Sequence, residues 1–196
     1  MNTTAICADF SQLDEMSRHL PGTRRIAFYP GSTLGNFEPD AALEFLATLR
    51  EVVGANGGLL IGVDREKDAR TLNAAYNDAA GVTEQFNLNL LDNLNRLLPA
   101  NFSRQTFRHY AFYNSGEKRI EMHLESQQDQ WVECAGEQIF LKRGETLHTE
   151  NSYKYSPGRF AELAQQAGFQ VRQQWSDPGE LFSLYYCETA TSVAAE

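Results

Sequence analysis

The sequence predicts an α/β fold, half of a doubly wound parallel sheet interrupted by an α+β insertion, and three observations lead there. Short continuous apolar runs alternate with helical periods at both ends of the chain. The middle switches to strands of strictly alternating character. With 196 residues, 42% of them apolar, the chain is long enough to bury a real core in one domain or two small packed ones.

Each element has its own local reason. "TAICADF", Thr4 to Phe10, reads as a first strand and "RRIAFYP" as a second. "EPDAALEFLATLREVVGANG" repeats apolar residues at Leu43, Leu46, Leu49 and Val53, a helical period closed by glycines. "GGLLIGVDREKD", Gly57 to Asp68, is a third strand ending in charge. Strand, helix, strand with unbroken apolar strands is the mark of a parallel sheet covered on both faces.

From Thr71 to about Leu98 the pattern turns helical, with a break near Gly81. "HYAFYNSGEKRIEMHLES" and "QWVECAGEQIFLKRGETLH" then alternate as antiparallel strands with one wet face, and "NSGEK" suits a hairpin turn. "SPGRFAELAQQAGFQVRQQWSDPGELFSLYYCET" returns to helix, strand, strand, with Pro157 near a helix start, Gly168 at its end, and Leu181 to Tyr186 suited to the far edge of the sheet. The expected division is therefore 1–68 with 153–196 as one domain and 69–152 as an insertion.

Composition narrows the function classes. The net charge is −9 and the 17 basic residues are scattered, which disfavours a nucleic-acid partner. No apolar run approaches the ~18 residues of a membrane span, and the N-terminus lacks the pattern of a secretion signal, so a cytoplasmic protein without a membrane partner is expected. Cys7, Cys134 and Cys187 stand far apart without CxxC spacing, and His19, His109, His123 and His148 show no paired spacing. On spacing, no metal is expected.

"YPGSTLGNFEPD", Tyr29 to Asp40, is the stretch with the most unusual chemistry. Ligands of open α/β sheets sit outside the carboxyl ends of strands, where Asp9-Phe10, Pro30 to Asn36 and Gly62 to Asp68 all fall. Taken alone, the loop reads first as a turn in which Gly31 and Gly35 supply positive φ, with a helix cap before Pro39. It is not a phosphate loop, because no Lys-Ser/Thr follows its second glycine. Asp64, Lys67 and Asp68 read as a solvated helix start and stay outside the candidate site.

"FYPGSTLGNF", "AAYNDAAGVTEQFNLNLL", "RIEM" and "TENSYKYS", in that order, resemble the S-adenosylmethionine-dependent histidine Nα-methyltransferase family, which trimethylates histidine to hercynine in ergothioneine biosynthesis. The likeness runs from about Ala8 to about Tyr186. It implies a Rossmann-like methyltransferase domain with an inserted substrate-binding domain and S-adenosylmethionine as methyl donor. By the same resemblance Asp9 and Phe10 hold the adenine, and Gly31 lies on the cofactor side of the loop. Asn36 and Tyr76 take the carboxylate end of the amino acid, Glu150 and Ser152 the imidazole, and Met122 walls the pocket.

Elementary chemistry agrees with part of that assignment. An imidazole offers two ring nitrogens, which a carboxylate and a hydroxyl two residues apart on an extended segment can satisfy together. Methyl transfer to an amine needs a neutral nitrogen held in line with a sulfonium carbon, so positioning supplies most of the acceleration. An α-amino group with a pKa of about 8 needs no strong base.

One departure sets a limit. The family's acidic Gly-rich turn, E/D-x-G-x-G, and a further substrate-contacting tyrosine have no counterpart in this sequence. The expectation is a truncated chain with a bared sheet edge, through which two copies pair as a homodimer. Two function classes stay open: a histidine Nα-methyltransferase or its substrate-binding portion, and a non-catalytic relative that binds histidine or a similar amino acid or acts as a dimeric scaffold.

Overall fold

A computed structural model describes residues 5–7, 9, 20, 22 and 24–190. The chain forms two compact units, 1–66 with 153–196, and 67–152.

The first unit is built on a mixed four-stranded sheet. β1 (Ile26–Tyr29) runs parallel to β2 (Gly58–Asp64), joined by the crossover helix α1 (Pro39–Val53). Pro39 opens α1, where its missing N–H costs nothing, and the buried residues Ala42, Phe45, Leu46, Leu49 and Val53 form one stripe at helical spacing. That stripe packs in one core with Leu59, Ile61 and Val63 of β2. In the C-terminal part of the same unit, α4 (Pro157–Gln166) is capped by the Ser156 hydroxyl, which accepts from the Arg159 amide, and it leads into β8 (Phe169–Ser176) and β9 (Phe182–Thr189).

The parallel pairing expected of strand, helix, strand is present at β1–β2, and among the described residues β9 pairs antiparallel with both β2 and β8. The expectation that the apolar finish lies at the edge is corrected: the strand order is β1-β2-β9-β8. β9 buries Ser183, Tyr185 and Cys187 and is paired on both sides, whereas β8 exposes a run of glutamines and serine and can face water. The strand expected over Thr4 to Phe10 also differs, because Ala5–Cys7 and Asp9 lie exposed outside any strand and Phe10 falls outside the described residues.

The second unit carries two helices and five strands among the described residues. α2 (Ala69–Tyr76) starts on Asp68, whose carboxylate accepts from the Thr71 amide. Gly81, at φ 69, separates it from α3 (Val82–Leu97), in a conformation glycine adopts without penalty. β3 (Phe107–Asn114) and β4 (Arg119–Ser126) form the hairpin expected around "NSGEK", in which the Asn114 carboxamide accepts from the amides of Gly116 and Glu117. β7 (Thr146–Tyr153) completes that sheet in the order β3-β4-β7. β5 (Gln130–Cys134) and β6 (Glu137–Leu141) form a separate hairpin whose two-residue turn, Ala135-Gly136, has both φ positive, the type I′ geometry that matches strand twist.

α2 docks on β3 by polar contacts. Asn73 accepts from the Tyr113 amide at 2.7 Å, and Asn77, one helical turn on, donates to the Ala111 carbonyl at 3.0 Å. β3 is an edge of its sheet, and two asparagines at i, i+4 occupy backbone groups that an edge leaves unpaired. Below them Leu72, Ala111, Ile120 and Met122 form an apolar cluster.

One glycine is set by close approach. A Cβ on Gly62 of β2 would collide with the Pro30 carbonyl oxygen and stand 2.6 Å from the Phe182 ring. Gly62→Ala is expected to cost about 1 to 3 kcal/mol, the usual range for overpacking, measured as a lowered denaturation midpoint at unchanged m-value.

Candidate functional site

In the first unit the candidate segment is the loop after β1. Its left-handed residue is Ser32, at φ 57; Gly31 and Gly35 lie outside the positive-φ set, which corrects the expectation that they supply that conformation. A Cβ on Gly31 would meet only the Thr33 hydroxyl, at 3.5 Å, ordinary contact. The serine tolerates the strained backbone because its hydroxyl accepts from the Asp64 amide at 2.7 Å and its carbonyl from the Gly35 amide at 3.0 Å. A 3-10 turn, Thr33–Asn36, follows with Leu34 and Gly35 buried, leaving Asn36 exposed at its end.

Asp64, set aside as solvated on sequence grounds, is the anchor of that loop. Besides donating its amide to Ser32, it accepts the Tyr155 amide on its carbonyl at 3.1 Å and pairs its carboxylate with Lys154 Nζ at 2.8 Å. The lysine side chain is 1% exposed and the aspartate 22%. A buried ammonium is tolerated only when paired, so the end of β2, the Ser32 loop and the segment Lys154–Tyr155 are held to one geometry.

In the second unit the fold joins Tyr76, at the end of α2, to Ser152 on β7. The tyrosine hydroxyl donates to the serine Oγ at 2.8 Å. Tyr76 is half-buried and packs on the cluster containing Met122, which is 3% exposed. Glu150 lies two residues before Ser152 on the same strand, half-buried. The Met122 carbonyl accepts from the Thr149 hydroxyl at 2.9 Å, fixing β7 against β4 beside these residues.

A second layer missed by sequence reasoning holds Tyr76 in place. Asn87 of α3, 2% exposed, donates to His109 Nδ1 and to the His123 carbonyl, each at 3.0 Å. With Nδ1 accepting, the network assigns the proton of His109 to Nε2, which donates to the Tyr76 carbonyl at 2.8 Å. A polar residue buried at a helical core position, Asn87 among Leu88 and Leu91, was the available signal.

The whole-chain comparison decides the family. The family model described as histidine-specific methyltransferase, SAM-dependent, matches residues 1–189. The chain belongs to this family. A histidine N-alpha-methyltransferase from Mycolicibacterium smegmatis is 40% identical over 183 residues, which cover 92% of this chain and 56% of that protein. One from Mycobacterium tuberculosis is 40% identical over 184 residues, with the same coverage of 92% and 56%. Ergothioneine biosynthesis protein 1 of Neurospora crassa is 29% identical over 160 residues, 74% of this chain and 17% of that protein. The chain thus spans little more than half the length of its bacterial relatives.

The residues here fit the family's methyl donor only in part. Asp9 offers an exposed carboxylate, Phe10 lies outside the described residues, and Asp64 is committed to Lys154. The sequence holds no E/D-x-G-x-G turn for the sulfonium and ribose end.

The Asp64–Lys154 pair is open to a direct test. Asp64→Ala, which takes the paired carboxylate from the buried ammonium, is expected to lose about 3 to 5 kcal/mol of unfolding free energy, whereas the double variant Asp64→Leu/Lys154→Met loses less than the single one. Denaturant titration of the three proteins measures both.

Proposed function

We propose that the chain is the histidine-binding portion of an S-adenosylmethionine-dependent histidine Nα-methyltransferase, with 69–152 as the inserted substrate-binding domain and the rest as part of a Rossmann-like methyltransferase domain. The observation that carries this reading is the hydrogen bond between Tyr76 and Ser152, residues far apart in sequence that the family pattern assigns to one ligand. An amino acid entering there exchanges one buried hydroxyl contact for its own polar ends, which keeps the desolvation cost low. Glu150 and Ser152 offer a carboxylate and a hydroxyl to the two ring nitrogens, Tyr76 offers its phenol, and Met122 contributes apolar wall. The roles of Asn36, Gly31 and the Asp9-Phe10 pair rest on the family pattern. The relatives' activity, attachment of methyl groups to the α-amino nitrogen, comes to this chain as part of the same proposal.

Calorimetric titration with histidine and with S-adenosylhomocysteine tests the reading. Histidine is expected to bind, and Glu150→Ala to weaken it by about 1 to 3 kcal/mol, the cost of leaving a buried polar group unpaired. Binding of both ligands favours a catalytically competent chain, and histidine alone favours a binding portion. No histidine binding, or an affinity indifferent to Glu150, removes the proposal.

A scaffold reading has one observation of its own. Among the described residues β1 has no strand on its outer side, and Ile26 and Phe28 are 61% and 67% exposed there. A second copy pairing along this edge would cover them. Sedimentation equilibrium is expected to show a dimer that Phe28→Lys dissociates; a monomer at all concentrations eliminates this reading.

A further inference from the structure

β4 presents two chemically different faces. Ile120, Met122 and Leu124 point into apolar clusters, which places Glu121 and His123 on the opposite side of the sheet. β7 lies next to β4 and brings His148 to that side, where its ring stacks on His123 with centroids 4.5 Å apart and planes 16° apart. Glu121, His123 and His148 each present a ligand atom, all within 4.8 Å of one another. Sequence spacing concealed the group, because His148 comes from another strand; Glu121-x-His123, two residues on one strand face, was its visible half.

The two oxygens of Glu121 differ. Oε1 accepts from Arg119 Nε and Asn114 Nδ2, both at 2.9 Å, and pairs with Arg119 Nη2 at 2.8 Å. Oε2 faces His123 Nε2 at 3.4 Å. That is long for a hydrogen bond, but it is the separation of two ligand atoms around one tetrahedral ion with bonds of about 2.1 Å. His123 Nδ1 is buried without a hydrogen-bond partner, so this imidazole is poorly satisfied at both nitrogens. Phe112 stacks on the ring at 5.6 Å, and Arg119, its charge taken up by Oε1, fixes the carboxylate as outer partners of metal ligands do. His148 is exposed and bound to Asn151 Oδ1 at 2.8 Å, so a small ring rotation can aim it at a shared ion.

We propose that Glu121, His123 and His148 form a binding site for a first-row divalent ion of the Zn²⁺ class, with three protein ligands and the remaining position open to water. Two imidazoles and one carboxylate suit Zn²⁺, Co²⁺ or Ni²⁺, whereas Mg²⁺ and Ca²⁺ favour oxygen donors. The ion ties β7 to β4, the same pair of strands whose other residues include Met122, Glu150 and Ser152. The site does not depend on the histidine-binding reading.

The test uses tag-free, chelator-treated full chain with Cys7 and Cys134 replaced by serine. Titration with Zn²⁺ by calorimetry and with Co²⁺ by visible absorption is expected to show one ion per chain, a Co²⁺ spectrum of low coordination number, and a raised melting temperature. His148→Ala, at an exposed position, and His123→Phe are each expected to weaken binding at least about tenfold. If His123→Phe fails to fold, His148→Ala decides alone. The absence of saturable binding by the folded chain, or binding undiminished in His148→Ala, overturns the proposal.

Discussion

A lysine with almost no exposed surface, paired with an aspartate at 2.8 Å, is a central constraint on the first unit. A charge of that kind leaves water at a cost of several kcal/mol and is tolerated only beside its partner. The partner is the last residue of β2, and the amide of that same residue is taken by Ser32. One desolvated pair therefore determines where the loop after β1 stands, how it turns and which strand end it covers. The left-handed serine, the buried Leu34 and the close approach of Pro30 to Gly62 all follow from the loop being pinned there.

The second unit uses neutral hydrogen bonds for the same purpose. Asn87 and His109 hold the carbonyl of Tyr76, and the hydroxyl of Tyr76 holds Ser152. Each buried polar group in that series has a partner of matching character, so the group is rigid without carrying charge. A second group, Arg119, Glu121, His123 and His148, is different in kind and is assembled over two strands. Along β4, strict alternation sends Ile120, Met122 and Leu124 into the apolar clusters and Glu121 and His123 to the other face.

Membership of the histidine-specific methyltransferase family and the division of labour within this chain meet at a boundary of length. The matched segment covers 92% of this chain but 56% of the bacterial relatives. Of the residues proposed for the amino acid, Tyr76, Met122, Glu150 and Ser152 fall on or at the ends of helices and strands, and Asn36 lies exposed at the end of the loop after β1. Those proposed for the methyl donor are Asp9, Phe10 and Gly31, the last on a loop whose glycines do not carry the special conformation.

Local periodicity alone determined the helices over Pro39–Val53 and Val82–Leu97, the hairpin around "NSGEK", and the change of character that opens the middle of the chain, because those signals repeat within a few residues. The same short range explains what it misread. Whether Leu181 to Tyr186 forms an edge or an interior strand depends on what pairs on each side, and only β2 and β8 in place made it interior. Whether Asp64 is solvated depends on a lysine far along the chain, and whether His123 stands alone depends on a histidine from another strand. Sequence order carries a residue's chemistry and its local direction; burial, pairing and pKa belong to neighbours that only the tertiary structure supplies.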